Sequence, residues 1–252
     1  MKLLVDVGNS RVKWGWLDGT QLDGFGAVAH HGHALEAALT QAWKDAPQPE
    51  SVIVSNVAGP MANHALNQIC MTRFGQVPQY MVSGAVSAGI RSGYRDPARL
   101  GVDRWAALIG AFRRHGAPAC VIDCGTAITL DAVTQDGRHL GGVIAPGIGA
   151  MRHALAGTGA EISEAPDTND GNVFARDTHA AVTSGALNAV VGLIERVSTK
   201  MLAELGEGAH CLITGGDAEH LLSQLRPGYT LLPHLVLEGL AEMSACPPES
   251  VT

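Results

Sequence analysis

The sequence predicts an α/β protein built twice over, with two mixed sheets that carry helices packed on them. Three observations lead there. A short apolar strand ends at an Asp-x-Gly turn near the N-terminus, Val5-Asp6-Val7-Gly8-Asn9-Ser10, and the same design returns in mid-chain at Ile122-Asp123-Cys124-Gly125-Thr126. Each copy is followed by an alternating strand, an Asp-Gly pair and a third strand. The composition, 46% hydrophobic with only 4% aromatic, suits a core of Ala, Val, Leu and Ile. A chain of 252 residues can hold two domains of ordinary size. The break Gly116-Ala117-Pro118 sets the expected halves at 1–117 and 118–252, and the repeated turn suggests a ligand held between them.

In chain order, Leu3 to Gly8 is an apolar strand and Arg11 to Leu17 alternates as its hairpin partner. Asp18-Gly19 is a second hairpin turn, leading to a strand near Leu22 to Val28. Leu35, Ala38, Leu39 and Ala42 form the buried stripe of a helix over His33 to Lys44. Ser51 to Val57 is a β-branched buried strand, Pro60 opens a helix through Phe74, and Gln79 to Ser83 is a short strand. Gly84 to Gly101 is irregular, and Gly101 to Arg114 is a helix with Trp105, Leu108, Ile109 and Phe112 on one side. The second half restarts with strands over Ala119 to Cys124, Ile128 to Thr134 and His139 to Ala145, with Asp136-Gly137 as a hairpin turn like Asp18-Gly19. A helix over Met151 to Leu155 precedes a polar loop from Gly157 to Asp177, long enough to point to a functional role. A long Ala-rich helix covers Thr178 to Leu205. Cys211 to Thr214 is a buried strand ending at Gly215-Gly216-Asp217, and helices follow over Ala218 to Leu225 and Leu235 to Ser244.

Composition narrows the function. The formal charge is −7 and no run of Lys or Arg forms a stripe, which argues against nucleic acid as a main partner. No apolar run reaches the ~18 residues of a membrane span, and the N-terminus lacks the apolar stretch of a signal peptide, so a cytoplasmic protein is expected. Cys70, Cys120, Cys124, Cys211 and Cys246 sit mostly in apolar runs and read as small core residues. His30-His31-Gly32-His33 has no carboxylate or Cys to complete a metal site and reads as a solvated loop. The chain has no Gly-x4-Gly-Lys-Ser/Thr loop, no Gly-x-Gly-x-x-Gly after a strand, no Gly-x-Ser-x-Gly and no His-Glu-x-x-His.

The paired Asp-x-Gly turns carry more chemistry. Gly8 and Gly125 lack Cβ, so backbone N–H groups can approach a phosphate closely. Asn9, Ser10 and Thr126 supply side-chain hydrogen bonds, and Lys13 can reach the same anion. Asp6 and Asp123 stand at strand ends, where a carboxylate can hold Mg²⁺ or another cation beside phosphates. The stretch Asp6, Val7, Gly8, Asn9, Ser10, Arg11, Val12 and Lys13, together with Thr126, therefore reads as a clamp for nucleotide phosphates. Gly215-Gly216-Asp217 can take a base or ribose against the chain, or be a plain turn. Asp131 either supports the site or belongs to the polar face of its strand.

Asp-x-Gly-Asn-Ser, Asp-x-Gly-Thr-Ala and Thr-Gly-Gly-Asp together resemble the two phosphate motifs and the adenosine motif of the acetate kinase, sugar kinase, heat-shock ATPase and actin superfamily. That resemblance implies a duplicated ribonuclease H-like (actin-like ATPase) fold. Within it, the chain is similar to the type III pantothenate kinases, relatives of the Bvg accessory factors. The specific match is Tyr94-Arg95-Asp96-Pro97-Ala98-Arg99-Leu100-Gly101-Val102-Asp103-Arg104, followed by Gly141-Gly142-x-Ile144-x-Pro146-Gly147.

The resemblance implies transfer of the ATP γ-phosphoryl group to pantothenate, with Asp103 as the catalytic base for the primary hydroxyl. It implies a substrate pocket of Tyr94, Gly101, Val102, Asp103 and Arg104. It also implies Mg²⁺ or another divalent metal with ATP near Asp6, and K⁺ or NH₄⁺ at Asp123. A homodimer is implied too, with Thr178 reaching the neighbouring subunit's substrate. Two departures stand out: Asp96 replaces the family's usual Asn, and Ala175-Arg176-Asp177-Thr178 replaces a Gly-Lys-Asn-Thr-like run. The rival readings are another small-acid kinase or phosphatase of the same fold, and an ATP-binding regulatory accessory protein without turnover.

Overall fold

The computed structural model describes residues 1–29, 35–156 and 172–246. The His30-His31-Gly32-His33 cluster, the start of the helix expected from His33, and residues 157–171 of the polar loop lie outside them. The chain divides into two compact units. The first comprises Met1–Gly116, Asp136–His139 and the segment from His234 onward; the second comprises Ala117–Gln135 and Leu140–Pro233. Residues 136–139 and the C-terminal helix, both expected with the second half, thus group with the first unit.

The first unit's sheet contains β1 (Lys2–Val7), β2 (Arg11–Asp18), β3 (Gln21–Ala29), β4 (Ser51–Asn56) and β5 (Gln79–Tyr80), in the order β3-β2-β1-β4-β5. β1 pairs antiparallel with β2 and parallel with β4, and β4 pairs parallel with β5. Alternation sends Leu3, Val5, Val7, Val52 and Val54 to one face, where they pack with residues of α1 (Leu35–Ala42) and α2 (Pro60–Phe74). The stripe of α1 is Leu35 and Leu39 and ends on Trp43, not on Ala42, which is exposed. Trp43 meets Trp14 edge to face, with ring centroids 5.7 Å apart, so the larger ring takes the core position. Gly75 closes α2 with φ 66°, its N–H directed to the last carbonyls of the helix.

The other face of this sheet is covered by α3 (Val102–Gly110) and α7 (Leu235–Ala245). The one-sided stripe expected for α3 is not found. Arg104, Trp105, Ala106, Ala107, Leu108, Ile109 and Gly110 are all buried, because the helix is packed against β4 on one side and α7 on another. Two glycines permit that approach: a Cβ on Gly239 would lie 1.8 Å from the Ala106 carbonyl oxygen, and one on Gly110 2.7 Å from that of Leu235. α3 runs on into a π-turn, Ala111–His115, where Arg114 Nε donates to Glu242 at 2.8 Å. The irregular segment before α3 contains a small hairpin, β6 (Val86–Ser87) with β7 (Ile90–Arg91), and a 3₁₀ turn, Pro97–Arg99.

The second unit repeats the order. β8 (Ala119–Cys124), β9 (Ala127–Val133), β10 (His139–Pro146), β11 (His210–Thr214) and β12 (Tyr229–Leu231) run β10-β9-β8-β11-β12. β8 is antiparallel to β9 and parallel to β11, and β11 is parallel to β12, as in the first sheet. The duplication read from the Asp-x-Gly turns is therefore a duplication of topology. β12 was not expected; its three residues are too few to show a period. α4 (Ile148–Ala156), α5 (Thr178–Leu205) and α6 (Ala218–Leu222) complete the unit.

Cys120, Ile122, Cys124, Ile128, Leu130, Cys211 and Ile213 pack with Leu187, Val190 and Ile194 of α5. By length and composition α5 could cross a membrane, the one such helix among the described residues, although no apolar run in the sequence announced it. All five cysteines are free and four are buried, as their apolar surroundings predict. Burial pushes the Cys70 thiol up to about 12.

The two Asp-Gly pairs differ. Asp18 pairs with Gln21, leaving a two-residue turn with Gly19 at φ 59°. β9 ends at Val133 and β10 starts at His139, so Asp136-Gly137 sits in a five-residue connection rather than a tight hairpin. That connection packs in the first unit, where Arg91 N–H donates to the Gly137 carbonyl at 2.8 Å.

Candidate active site

In the first unit, Asp6 lies directly opposite Lys13 on β2 and Ser55 on β4. Residues paired in this way share a face of the sheet, so the three form a row, Lys13–Asp6–Ser55. Asp6 and Lys13 are half-buried, whereas Ser55 is fully buried and its hydroxyl has no hydrogen-bond partner among the described residues. The turn after β1 is closed by Gly8 N–H donating to the Arg11 carbonyl at 3.0 Å. Gly8 does not adopt positive φ, so the backbone conformation does not itself demand glycine there. Its N–H closes the turn. Asn9 is exposed and Ser10 half-buried at the tip, with Arg11 exposed and Val12 buried beyond.

The second copy has its own row. Asp123 lies opposite Thr129 on β9 and Thr214 on β11. Lysine is replaced by a hydroxyl, and the serine position by a second threonine. This oxygen-only set fits a hard cation, whereas the lysine in the first row fits an anion. Gly125 N–H donates to the Ala127 carbonyl at 3.0 Å, one residue tighter than the first turn. Glycines press neighbouring chain onto this turn. A Cβ on Gly147 would fall 2.3 Å from the Gly125 carbonyl oxygen, and one on Gly215, at φ 106°, 2.5 Å from the Asp123 carboxylate. Asp217 N–H donates to the Cys124 carbonyl at 2.9 Å, so Gly215-Gly216-Asp217 is seated on the second Asp turn. Asp131 is buried at 2% exposure beneath Gly142, which rules out the polar-face reading for it.

The signature segment is also in the first unit. The Asp96 carboxylate accepts from Ala98 N–H at 3.2 Å and caps the 3₁₀ turn, so the departure from Asn keeps the turn. Gly101 precedes α3, and a Cβ there would lie 2.6 Å from Asp103 Oδ1. Asp103 Oδ1 accepts from Arg104 N–H at 2.8 Å, in the first turn of α3, where the helix dipole favours an anion. Val102 and Arg104 are buried, and the Arg104 guanidinium donates through Nη1 to the Tyr94 hydroxyl at 2.8 Å. Its Cζ stands 5.6 Å from the centre of the Tyr94 ring. Asp103, Arg104 and Tyr94 are thus brought together.

Thr178 opens α5 in the second unit and is exposed, beside an open groove of about 760 Å³ between α4 and α5. Asp177 is the cap of that helix, accepting from Ala180 N–H at 2.8 Å. Ser55, Thr129 and Thr214 were missed from sequence; only strand register selects them, across a hairpin for Thr129 and between distant segments for Ser55 and Thr214. Among the described residues no group of three or more His, Cys, Asp or Glu side chains could hold a metal.

Two sheets of equal topology, each with an Asp-x-Gly turn after its first strand, define the actin-like ATPase fold. Solved structures share that architecture. A Campylobacter jejuni protein assigned to the Baf family of transcriptional activators superposes with TM-score 0.59 at 20% identity, covering 96% of this chain and 97% of its own. The activator of 2-hydroxyisocaproyl-CoA dehydratase from Clostridium difficile, solved with bound ADPNP, gives 0.52 at 8% identity, covering 97% and 93%. A family model for type III pantothenate kinases matches residues 2–200. A type III pantothenate kinase from Nitrosococcus oceani is 40% identical over 249 residues, 97% of this chain and 94% of its own. The chain belongs to the type III pantothenate kinase family.

Proposed function

We infer that the protein transfers the γ-phosphoryl group of ATP to pantothenate, giving 4′-phosphopantothenate at the start of coenzyme A synthesis. The observation that carries this reading is the Asp103–Arg104–Tyr94 group, ordered by Gly101 at the mouth of α3. The Asp103 carboxylate takes the proton of the attacking hydroxyl, or orients it. Arg104 has donors enough to hold Tyr94 and the substrate carboxylate together, and Gly101 and Val102 shape the pocket beside them. Asp6 through Lys13 grip the ATP phosphates and Thr126 contributes a hydroxyl; the Lys13 ammonium suits that anion. Asp6 would hold the divalent ion that accompanies ATP, which would supply charge neutralisation to the phosphates. Catalysis is then mostly positioning and electrostatics.

The oxygen row of Asp123, Thr129 and Thr214 supports a monovalent cation, K⁺ or NH₄⁺, at Asp123. Replacing K⁺ by Na⁺ is expected to lower the rate; unchanged rates would remove the cation from this site. A homodimer is supported by exposed apolar side chains on the second unit, Ile144, Val173 and Phe174, with Thr178 offered to the neighbouring subunit's substrate. A cytoplasmic location accords with ATP as the phosphoryl donor.

A coupled ADP-release assay with and without pantothenate tests the whole reading. Turnover should require pantothenate, and Asp103→Asn should lower kcat by roughly 10²- to 10⁴-fold with little change in folding. ADP release that ignores pantothenate, or near wild-type turnover in Asp103→Asn, would overturn it.

A further inference from the structure

Tyr94 touches a residue outside both the Tyr94–Arg104 signature and the glycine block that starts at Gly141. His139 is 1% exposed, and its ring is stacked on that of Tyr94, with centroids 5.8 Å apart and planes 18° from parallel. Tyr94 is therefore held through its ring by His139 and through its hydroxyl by Arg104. What brings His139 there is the Asp136-Gly137 connection described above. Gly137 has φ 77°, and a Cβ on it would fall 2.3 Å from the Gly89 carbonyl oxygen and 3.2 Å from the Phe112 ring. Arg91 N–H bonds the Gly137 carbonyl at 2.8 Å, and Arg91 forms a parallel bridge with Arg138. The turn is thus seated on the β6–β7 hairpin, and two residues later the chain presents His139 to Tyr94.

We propose that residues 136–139 are a supporting strap for the substrate pocket, and that His139 is a positioning residue that fixes Tyr94, and through it Arg104, for the anionic acceptor. This rests on Tyr94 and Arg104 as the substrate-binding pair. An unsupported tyrosine has several staggered rotamers open to it, only one of which places its hydroxyl on the guanidinium. A stacked ring removes the others without touching substrate. What Tyr94 meets is the flat face of the ring, so a second aromatic ring should serve in its place.

The test compares His139→Leu, which keeps apolar bulk, with His139→Phe, which keeps the flat face. His139→Leu should raise KM for pantothenate about three- to tenfold, the size of one lost aromatic stack, with KM for ATP unchanged and kcat little affected. His139→Phe should restore the wild-type value. Gly137→Ala, which unseats the turn, should reproduce the His139→Leu pattern. The proposal falls if His139→Leu leaves the pantothenate KM unchanged, raises both KM values alike, or is not improved upon by His139→Phe. Tyr94→Leu, measured in parallel, separates the two layers. If it too leaves the pantothenate KM unchanged, the substrate pocket itself is misassigned. If it raises that KM while His139→Leu does not, only the supporting role fails.

Discussion

The space that a Cβ on Gly101 would need is taken by the Asp103 carboxylate, 2.6 Å away, although Gly101 itself has an ordinary φ of −55°. Glycine is there for the neighbour's sake and not for the turn. Gly101→Ala should therefore fold normally, because the obstructing atom is the tip of a side chain that can rotate away. The displaced carboxylate should cost roughly tenfold to a hundredfold in kcat, as misplacement of about 1 Å does. Steady-state kinetics beside a thermal melt checks this: kcat falls while Tm stays put. The signature around Asp103 was legible from the sequence because its residues are contiguous. Ser55 and Thr214 were not, since each flanks an aspartate only after strands far apart in the chain have paired, and Thr129 does so only through the exact register of its hairpin.

Among the elements, α3 shows what a sequence pattern leaves open. Its apolar residues were read as one stripe, yet the helix is enclosed, and Arg104 is buried with Tyr94 as its partner. The missing information lay in α7, more than a hundred residues on, and in the glycines that let the two helices approach. Gly239→Ala puts a methyl 1.8 Å from the Ala106 carbonyl oxygen, where backbone cannot yield as a side-chain tip can. We expect it to destabilise the protein by about 3 kcal/mol, at the upper end for overpacking, measured by denaturant unfolding. The strands fared better. Their β-branched runs and Asp-x-Gly turns predicted both sheets, with short β12 as the omission and the Asp136-Gly137 connection as the misread turn.

For the whole molecule, folding stability near neutral pH should carry the mark of His234. Its ring is stacked on Phe25, with centroids 3.5 Å apart. Burial, and then the Lys13 ammonium, lower its pKa from the ordinary 6.5, against a smaller opposing pull from Glu238. A folded state that holds histidine neutral binds fewer protons than the unfolded chain. The associated stability is present above pH 6.5 and is lost as pH falls from there through the folded pKa. Melts between pH 7.5 and 5.5 should show Tm falling less steeply in His234→Gln than in the wild type. Parallel curves would remove His234 from the pH response.

The packing of α7 on the first sheet also bears on how the protein is made. Ribosomes deliver a chain from its N-terminus, and domains commonly finish folding in that order. Here α3 covers part of one face of the first sheet early, but α7, which covers the rest, is encoded after the second unit's last strand, β12. The nascent N-terminal unit must therefore wait, with β1 and its apolar Leu4 side chain short of that cover, until the whole second unit has been translated.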